Sequence, residues 1–354
     1  MNRTMWCSVS RMTALAGCLA VLVAAMPVHG AMAAESPVRV MIIDGSSNHD
    51  FRGTSAALLC TLASARRFGD WTTVLISRSP TGWELAEPRK PADGDAAAIA
   101  RYEADMKVYD EARRAFYKQS DLGRTVWRPP FEEFDVVVVN YNGGDWPEHV
   151  KTGFVEFVRN GGGVVVVHSA NNPFENWPAY NEMLGIGWRG ATFGTWIGVD
   201  STTGKLVSVP EQKPGGSSHA DFKPFLVKNR DPAHPIMAGV PETWMHAADE
   251  LYVRMRGTAD NLHVIATSPS PNGPHEEPVV WWVPFGKGRV VTMTMGHYQR
   301  PDHSTALQCV GFQTIFARAC EWAATGKVTI PVPSNFPTST EQSVAASNHV
   351  KWGW

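Results

Sequence analysis

The sequence is poor in cysteine, in net charge and in long apolar segments. Only five of the 354 residues are cysteine, and basic and acidic residues nearly balance, which leaves a formal net charge of -2. That balance gives no support for a nucleic-acid partner or an anionic membrane surface. No CxxC pair and no zinc-finger spacing occurs, so a cysteine-based zinc motif is excluded. The hydrophobic content of 44% is nevertheless enough for a sizeable core.

The N-terminus has the pattern of an export signal. Arg3 and Arg11 flank the start of an apolar run at residues 14–26, and Ala31-Met32-Ala33 places small residues at both cleavage-determining positions. The run is shorter than the ~20 residues that a membrane-spanning helix needs. We therefore expect residues 1–33 to be a signal peptide, and the protein to be periplasmic or secreted with no membrane span.

Removal of that segment leaves three cysteines, Cys60, Cys309 and Cys320. An odd number in an oxidising compartment permits at most one internal disulfide. Cys309 and Cys320 fall on one predicted helix, about three turns apart, which is too far for a bridge between them. Buried free thiols are the expected state for most of the three.

Alternating apolar runs and helical patterns predict an α/β fold. A buried strand at residues 38–45, a helix after it and a second strand at 71–77 follow the order in which doubly wound sheets begin. The runs at 135–140 and 164–167 show no polar alternation, which is typical of parallel strands covered on both faces. The sequence therefore predicts a parallel sheet between helical layers.

Antiparallel strands, an insertion and a tail complete the predicted domain. Residues 278–283 and 289–294, joined by a glycine-containing turn, indicate a hairpin. Residues 80–130 differ in composition, and an apolar stripe at helical spacing is formed by Ile99, Tyr102, Met106, Tyr109 and Phe116. We predict a helical insertion packed on the rim of the sheet, either a structural appendage or a substrate lid. Residues 34–327 then form one α/β domain, and the Pro- and Ser-rich residues 328–354 form an extended tail.

Histidine follows three of the predicted strands, as His49, His168 and His297. Ligands of open α/β sheets bind beyond the carboxyl ends of the strands. Glu250, preceded by Asp249, adds a carboxylate from a fourth segment. Imidazole titrates near neutrality, and imidazole with carboxylate is a familiar ligand set for zinc or iron. We predict that His168, Glu250 and His297 are catalytic, as proton shuttles or as ligands of a divalent metal; alternatively, each histidine only hydrogen-bonds its own loop.

Other polar and aromatic residues lie close to the same strand ends. Aromatic faces bind sugar rings because they combine apolar burial with a polar edge, and Trp177 and Trp188 lie near the central loop. Core packing is the alternative for any single tryptophan. The predicted substrate-binding residues are His49, Asp50, Asn142, Trp177 and Tyr252.

Two stretches that suggest other activities are rejected. Ser169 follows His168, but neighbours on an extended chain point in opposite directions, and the GxSxG pattern is absent. Gly286-Lys287-Gly288-Arg289 lacks the GxxxxGK[ST] spacing and the following helix of a phosphate-binding loop. Neither a serine hydrolase nor a P-loop nucleotidase is therefore supported.

Several motifs together resemble the ThuA-like, trehalose-utilisation family, and the resemblance extends over most of residues 38–327. They are VVVVNYNGGDW at 136–146, GGGVVVVHSANNPFENW at 161–177, DELY at 249–252, GKGRVVTMTMGH at 286–297 and GFQTIFARACEWAATG at 311–326.

The resemblance implies a flavodoxin-like, doubly wound, mostly parallel sheet similar to that of class I glutamine amidotransferases. In those enzymes a nucleophilic cysteine occupies the turn after the central strand, where this chain has His168. Loss of glutamine hydrolysis is therefore expected. Family members are linked to disaccharide use, including trehalose and 3-keto-glycoside metabolism. The resemblance thus implies a small carbohydrate partner, handled by a hydrolase, lyase or isomerase. The many tryptophans and the missing nucleophile leave a non-catalytic carbohydrate-binding protein as the alternative.

Overall fold

Strands of valine and isoleucine and helices with one apolar face build a layered α/β structure. The computed structural model describes residues 36–75, 88–91, 96–210, 215–299 and 305–353, so the predicted signal peptide lies outside the described residues. The helices are α1 (Phe51–Ser64), α2 (Ala96–Val126), α3 (Glu148–Arg159), α4 (Pro178–Leu184), α5 (Thr305–Gln308) and α6 (Val310–Thr325). The strands are β1 (Val38–Asp44), β2 (Phe68–Leu75), β3 (Val136–Val139), β4 (Gly163–Val167), β5 (Ile186–Gly187), β6 (Thr195–Asp200), β7 (Leu206–Ser208), β8 (Ser218–His219), β9 (Lys223–Asn229), β10 (Thr243–Asp249), β11 (Tyr252–Val253), β12 (Arg256–Gly257), β13 (His263–Pro269), β14 (His275–Phe285) and β15 (Gly288–Met293).

The main sheet has a parallel half and an antiparallel half. The parallel strands lie in the spatial order β2-β1-β3-β4-β15, which is the strand order of flavodoxin-like folds. From β15 the sheet continues in antiparallel pairs through β14, β13 and β9 to β10. The predicted α/β class, with a parallel core and added antiparallel strands, is confirmed.

The absence of polar alternation in the central strand follows from burial on both of its faces. Val165 and Val167 of β4 pack with Phe316 of α6 in one apolar layer. Val164 and Val166 face the other way, toward α3 and α4. Full burial of each such side chain stabilises the fold by roughly 1.5–3 kcal/mol relative to exposure. These layers hold the carboxyl ends of the parallel strands in fixed positions.

The predicted insertion contains one long helix, α2, of 31 residues. At 1.5 Å per residue, it is about 47 Å long. Tyr102, Met106 and Tyr109, three members of its predicted apolar stripe, are half-buried, whereas Ile99 is 45% exposed. The stripe is therefore only partly covered, and the role of a lid stays a prediction.

Residues 328–353 pack on the α/β domain, whereas the sequence predicts an extended tail. Ile330 and Trp352 are buried. The buried carboxylate of Glu321 in α6 accepts a hydrogen bond from the Thr329 backbone at 2.8 Å. The segment lacks regular periodicity, which is why its pattern suggested a tail, yet its core contacts continue the domain beyond residue 327.

Cys60, Cys309 and Cys320 form no disulfide, and the last two are buried. In the part of the chain that the structure describes, every helix is too short or too polar to cross a lipid bilayer.

Candidate active site

Four side chains from four separate loops converge at one edge of the sheet. His49 follows β1, His168 follows β4, Glu250 follows β10 and His297 lies beyond β15. One donor atom from each residue, an imidazole nitrogen or a carboxylate oxygen, lies within 4.8 Å of the others. We call this set the His/Glu cluster. Because β1, β4 and β15 are parallel, their loops open at the same edge, and β10 brings the carboxylate from the antiparallel half.

His168 occupies a sharp turn at the end of the central strand. Its φ is +47°, a left-handed conformation that residues other than glycine seldom adopt. Such a conformation costs about 1–3 kcal/mol and persists only where surrounding contacts fix it. Nδ1 of His168 lies 2.6 Å from the Thr294 carbonyl oxygen, which can only accept a hydrogen bond. Nδ1 therefore carries a proton, and Nε2 is the ring nitrogen that faces the cluster.

Polar contacts hold that turn in place. Asn171 donates through Nδ2 to the His168 carbonyl at 2.9 Å and accepts through Oδ1 from the Trp188 backbone at 3.0 Å. The buried Arg189 donates through Nη1 to the carbonyls of Asn171 and Asn172, each at 2.9 Å. Burial lowers the pKa of Arg189. No sequence motif pointed to Arg189, because its partners are mainly backbone carbonyls of a distant turn.

Glu250 faces three imidazoles. Its carboxylate oxygens lie 3.7 Å from Nε2 of His168, 3.4 Å from Nε2 of His297 and 3.8 Å from Nε2 of His219. These separations exceed ordinary hydrogen-bond lengths. Among the described residues, no lysine or arginine forms an ion pair with Glu250, whose side chain is 16% exposed. His219 belongs to the short strand β8, in a region of weak periodicity, and was missed from sequence.

His49 is held neutral inside the cluster. Burial, and then the neighbouring rings of His168 and His297, lower the pKa of His49 to about 2. The centroid of the His49 ring lies 5.0 Å from that of the His168 ring and 4.8 Å from that of the His297 ring. Near neutral pH, His49 is therefore a lone-pair donor rather than a cation.

Asp249 connects the loops that carry Glu250 and His297. Its Oδ1 accepts from the backbone nitrogens of Glu250 at 2.7 Å and of His297 at 3.1 Å, and Oδ2 lies 2.8 Å from Nε2 of His246. Burial alone raises the pKa of Asp249, but the hydrogen bond and charge of His246 outweigh it and leave that pKa below its ordinary value. This fully buried carboxylate therefore positions two members of the His/Glu cluster.

Tyr252 supplies a hydroxyl group to the cluster. Its oxygen lies 3.1 Å from Nε2 of His168. Burial raises the pKa of Tyr252 well above 10, so the phenol keeps its proton and donates to that nitrogen. The structure thus places this predicted substrate-binding residue directly beside His168.

Two partly exposed aromatic rings flank the His/Glu cluster, and we call them the aromatic rim. Trp188 packs edge-on against Tyr252 at 4.6 Å and stacks on His219 at 6.2 Å between centroids. Phe222 is 36% exposed and contacts the His297 ring at 5.5 Å. Apolar faces beside polar imidazole edges are suited to a sugar ring, whose faces are apolar and whose rim is polar.

Three predicted substrate-binding residues make structural contacts. Trp177 is buried, stacks on Tyr180 at 5.4 Å and packs against Trp146 in the core, which corrects its predicted role. The turn before α4 directs the Trp177 ring into the core, beneath α4. The position of Trp177 in the sequence could not predict this direction. Asp50 is the N-cap of α1, since its Oδ1 accepts from the Gly53 backbone at 3.0 Å. Asn142 donates to Asn48 at 2.8 Å and so supports the loop of His49.

The strand order and the converging loops define a flavodoxin-like α/β protein with a His/Glu cluster at the carboxyl edge of its sheet. The family model for ThuA, described as trehalose utilisation, matches residues 104–323. The chain belongs to this family.

Two solved structures are similar to the chain, and the first of them agrees with that membership. A ThuA-like protein from Parabacteroides merdae ATCC 43184 is 31% identical, with a TM-score of 0.70 over 88% of this chain and 99% of its own. A ThuA-like protein from Bacteroides uniformis ATCC 8492 is 15% identical, with a TM-score of 0.47 over 84% of this chain and 96% of its own. None of the curated proteins matches the chain.

Proposed function

We propose that this ThuA family protein is an exported enzyme of carbohydrate metabolism that acts on a disaccharide or a keto-sugar at the His/Glu cluster. The observation that carries the proposal is the convergence of His49, His168, Glu250 and His297 within 4.8 Å, although they lie far apart in sequence. The family description supports the substrate class. The signal-like residues 1–33 support export.

The contacts of the cluster support proton transfer. His168 directs Nε2 toward the Tyr252 hydroxyl, and Glu250 lies beside the rings of His168 and His297. In a keto-sugar, the carbonyl acidifies the neighbouring C–H bond. One cluster residue would remove that proton, and a second would return a proton to another carbon, in an isomerase, or to the departing glycosidic oxygen, in a lyase.

The aromatic rim supports a cyclic substrate. Trp188 contacts Tyr252, and Phe222 contacts the ring of His297. A sugar ring lying against one of these faces would bring its hydroxyl and carbonyl groups to the His/Glu cluster. Glutamine hydrolysis is not proposed, because the turn after the central strand carries an imidazole where an amidotransferase needs a thiol.

A substrate panel tests this function. The purified exported protein is incubated with disaccharides, including trehalose, and with the corresponding 3-keto-glycosides, and products are followed by chromatography. At least one member of the panel should be converted, and His168→Ala should abolish the conversion. His263→Ala, in an exposed histidine stacked on Trp282, is the matched control and should retain it. Failure to convert any member, with or without added divalent metal, would contradict the proposal.

A non-catalytic carbohydrate-binding protein is the second candidate. It is favoured by the aromatic rim, which can hold a sugar without help from the cluster. In that case Trp188→Ala should abolish binding of the sugar while His168→Ala retains it, and no product should form. Calorimetric titration of both variants with the same panel separates the two candidates.

A further inference from the structure

The Glu250 carboxylate lies farther from the imidazoles of the His/Glu cluster than an ordinary hydrogen bond would place it. The Glu250 oxygens lie 3.4 Å from Nε2 of His297 and 3.7 Å from Nε2 of His168. Nitrogen and oxygen ligands of zinc lie about 2.0–2.2 Å from the ion, so two ligands of a tetrahedral site are about 3.3–3.6 Å apart. The observed separations match the edges of such a site better than they match a hydrogen bond.

We propose that His49, His168, Glu250 and His297 bind one divalent first-row transition-metal ion, Zn²⁺ in the first place. Three imidazoles and one carboxylate suit zinc, iron or nickel, whereas Mg²⁺ and Ca²⁺ prefer oxygen ligands throughout. The widest separation among the donor atoms, 4.8 Å, exceeds a tetrahedral edge, so binding would draw the ligands slightly inward.

The environment of His168 has the form that metal-binding histidines need. A ligating imidazole usually donates its second N–H to a carbonyl or carboxylate, which fixes the tautomer and the direction of the ring. His168 does so through Nδ1 to the Thr294 carbonyl, and this leaves Nε2 to face Glu250. Binding at Nε2 would replace the hydrogen bond from Tyr252.

Asp249 fixes the backbone of two further ligands, Glu250 and His297. Asp249 holds the amides of Glu250 and His297 through one carboxylate oxygen. The Glu250 carboxylate has imidazoles around it and, among the described residues, no basic side chain in an ion pair. A cation would supply the positive charge that this half-buried carboxylate lacks.

Metal content of the whole exported protein tests the inference. The protein is purified without metal-chelating resin, and bound metals are measured by inductively coupled plasma mass spectrometry. The chelator-treated protein is then titrated calorimetrically with Zn²⁺, Fe²⁺ and Mg²⁺. We expect about one equivalent of a transition metal per chain and no saturable binding of Mg²⁺.

Variants of single ligands show where the ion binds. His49→Ala, on the least buried of the three histidine loops, and Glu250→Gln should each weaken Zn²⁺ binding by more than the roughly 10–100-fold that follows loss of a supporting partner. His263→Ala is the matched control and should bind like the unmodified protein. Circular dichroism of each variant verifies that it is folded. Absence of saturable transition-metal binding, or equal binding by all the variants, would overturn the inference.

The metal site uses the residues of the proposed active site but does not depend on carbohydrate chemistry. Conversion of a glycoside by a protein that shows no saturable transition-metal binding would overturn the metal site and leave the proposed function standing. If the protein binds one equivalent of metal, loses it in His49→Ala and converts no sugar, the metal site would stand and the proposed function would be overturned.

Discussion

The parallel and antiparallel halves of the sheet contribute different parts of the candidate site. The parallel half provides three imidazoles from loops that follow buried strands, namely His49, His168 and His297. The antiparallel half and its connections provide the carboxylate of Glu250 and the aromatic rim. The loops of the parallel half meet at one edge because parallel strands end on the same side of the sheet, and each of these loops carries an imidazole. The antiparallel half adds a carboxylate and aromatic rings, which are groups of a different chemical kind.

Glu250→Gln tests this division most strongly, because it removes the contribution of the antiparallel half and preserves its shape. The change deletes the negative charge beside the imidazoles of His168 and His297. A positioned acid–base group is worth about 10²–10⁴-fold in rate, so we expect kcat/KM on the converted sugar to fall by about that factor. Glu242→Gln, at an exposed position just before β10, is the control and should have no effect. Full activity of Glu250→Gln would mean that the imidazoles of the parallel half are sufficient for turnover.

A pair of tryptophan variants compares the core of the parallel half with the rim of the other. Trp177→Ala removes a buried ring that stacks on Tyr180, and should lower the free energy of unfolding by about 3–5 kcal/mol. Trp188→Ala removes a half-buried ring, and should instead raise KM by roughly tenfold, the equivalent of one aromatic contact. Urea unfolding and initial-rate kinetics measure the two effects. The reverse pattern would place the sugar under α4.

Two buried arginines compare a support of the site with a support of the fold alone. Arg189 donates to the carbonyls of Asn171 and Asn172, just after His168. Arg318 donates to the carbonyl of Ile330, in the C-terminal segment. Each change to alanine leaves buried carbonyls without a donor and should cost about 3 kcal/mol of unfolding free energy.

Only the first of these changes should also reduce turnover, because only Arg189 holds the turn of a cluster residue. Rates are compared at a temperature where both variants are folded by circular dichroism. Equal rates for Arg189→Ala and Arg318→Ala would show that the turn after β4 keeps its geometry without the guanidinium.

The same contrast explains what could be predicted from sequence. Uninterrupted valine runs predicted the parallel strands, and the sheet rule then grouped His49, His168 and His297. Trp188 was considered only as a general sugar-binding residue, and His219 and Phe222 gave no signal, because they lie in irregular connections whose contacts are set by tertiary packing. Arg189 and the segment after residue 327 were missed for a similar reason. Arg189 donates to backbone carbonyls, and the segment is held through its own backbone, as in the bond from the Thr329 amide to Glu321, and no periodicity reveals such contacts.

The smallest expected effect concerns the free energy of unfolding and one buried carboxylate of the parallel half. Asp44 ends β1, and its side chain is buried, with Ser55 donating to Oδ2 at 2.6 Å. Burial, only partly offset by that hydrogen bond, raises the pKa of Asp44 from 3.8 to about 6. Between those two pH values, the folded protein holds a proton that the unfolded chain has released. Stability therefore declines as pH rises through this window and stays lower above it.

Asp44→Asn should remove that pH-dependent loss. The shift corresponds to about 3 kcal/mol at most, and relaxation reduces it, so we expect the unfolding free energy to rise by about 1–2 kcal/mol at pH 7.5 and to change little at pH 4. Asp135→Asn, in the loop before β3, is the control of opposite sign. Burial raises the pKa of Asp135, but Arg39 outweighs this and lowers it, so its loss should destabilise the protein above pH 4. Destabilisation by Asp44→Asn at pH 7.5 would mean that the charged carboxylate is stabilised at the end of β1, and that this edge tolerates anions as well as imidazoles.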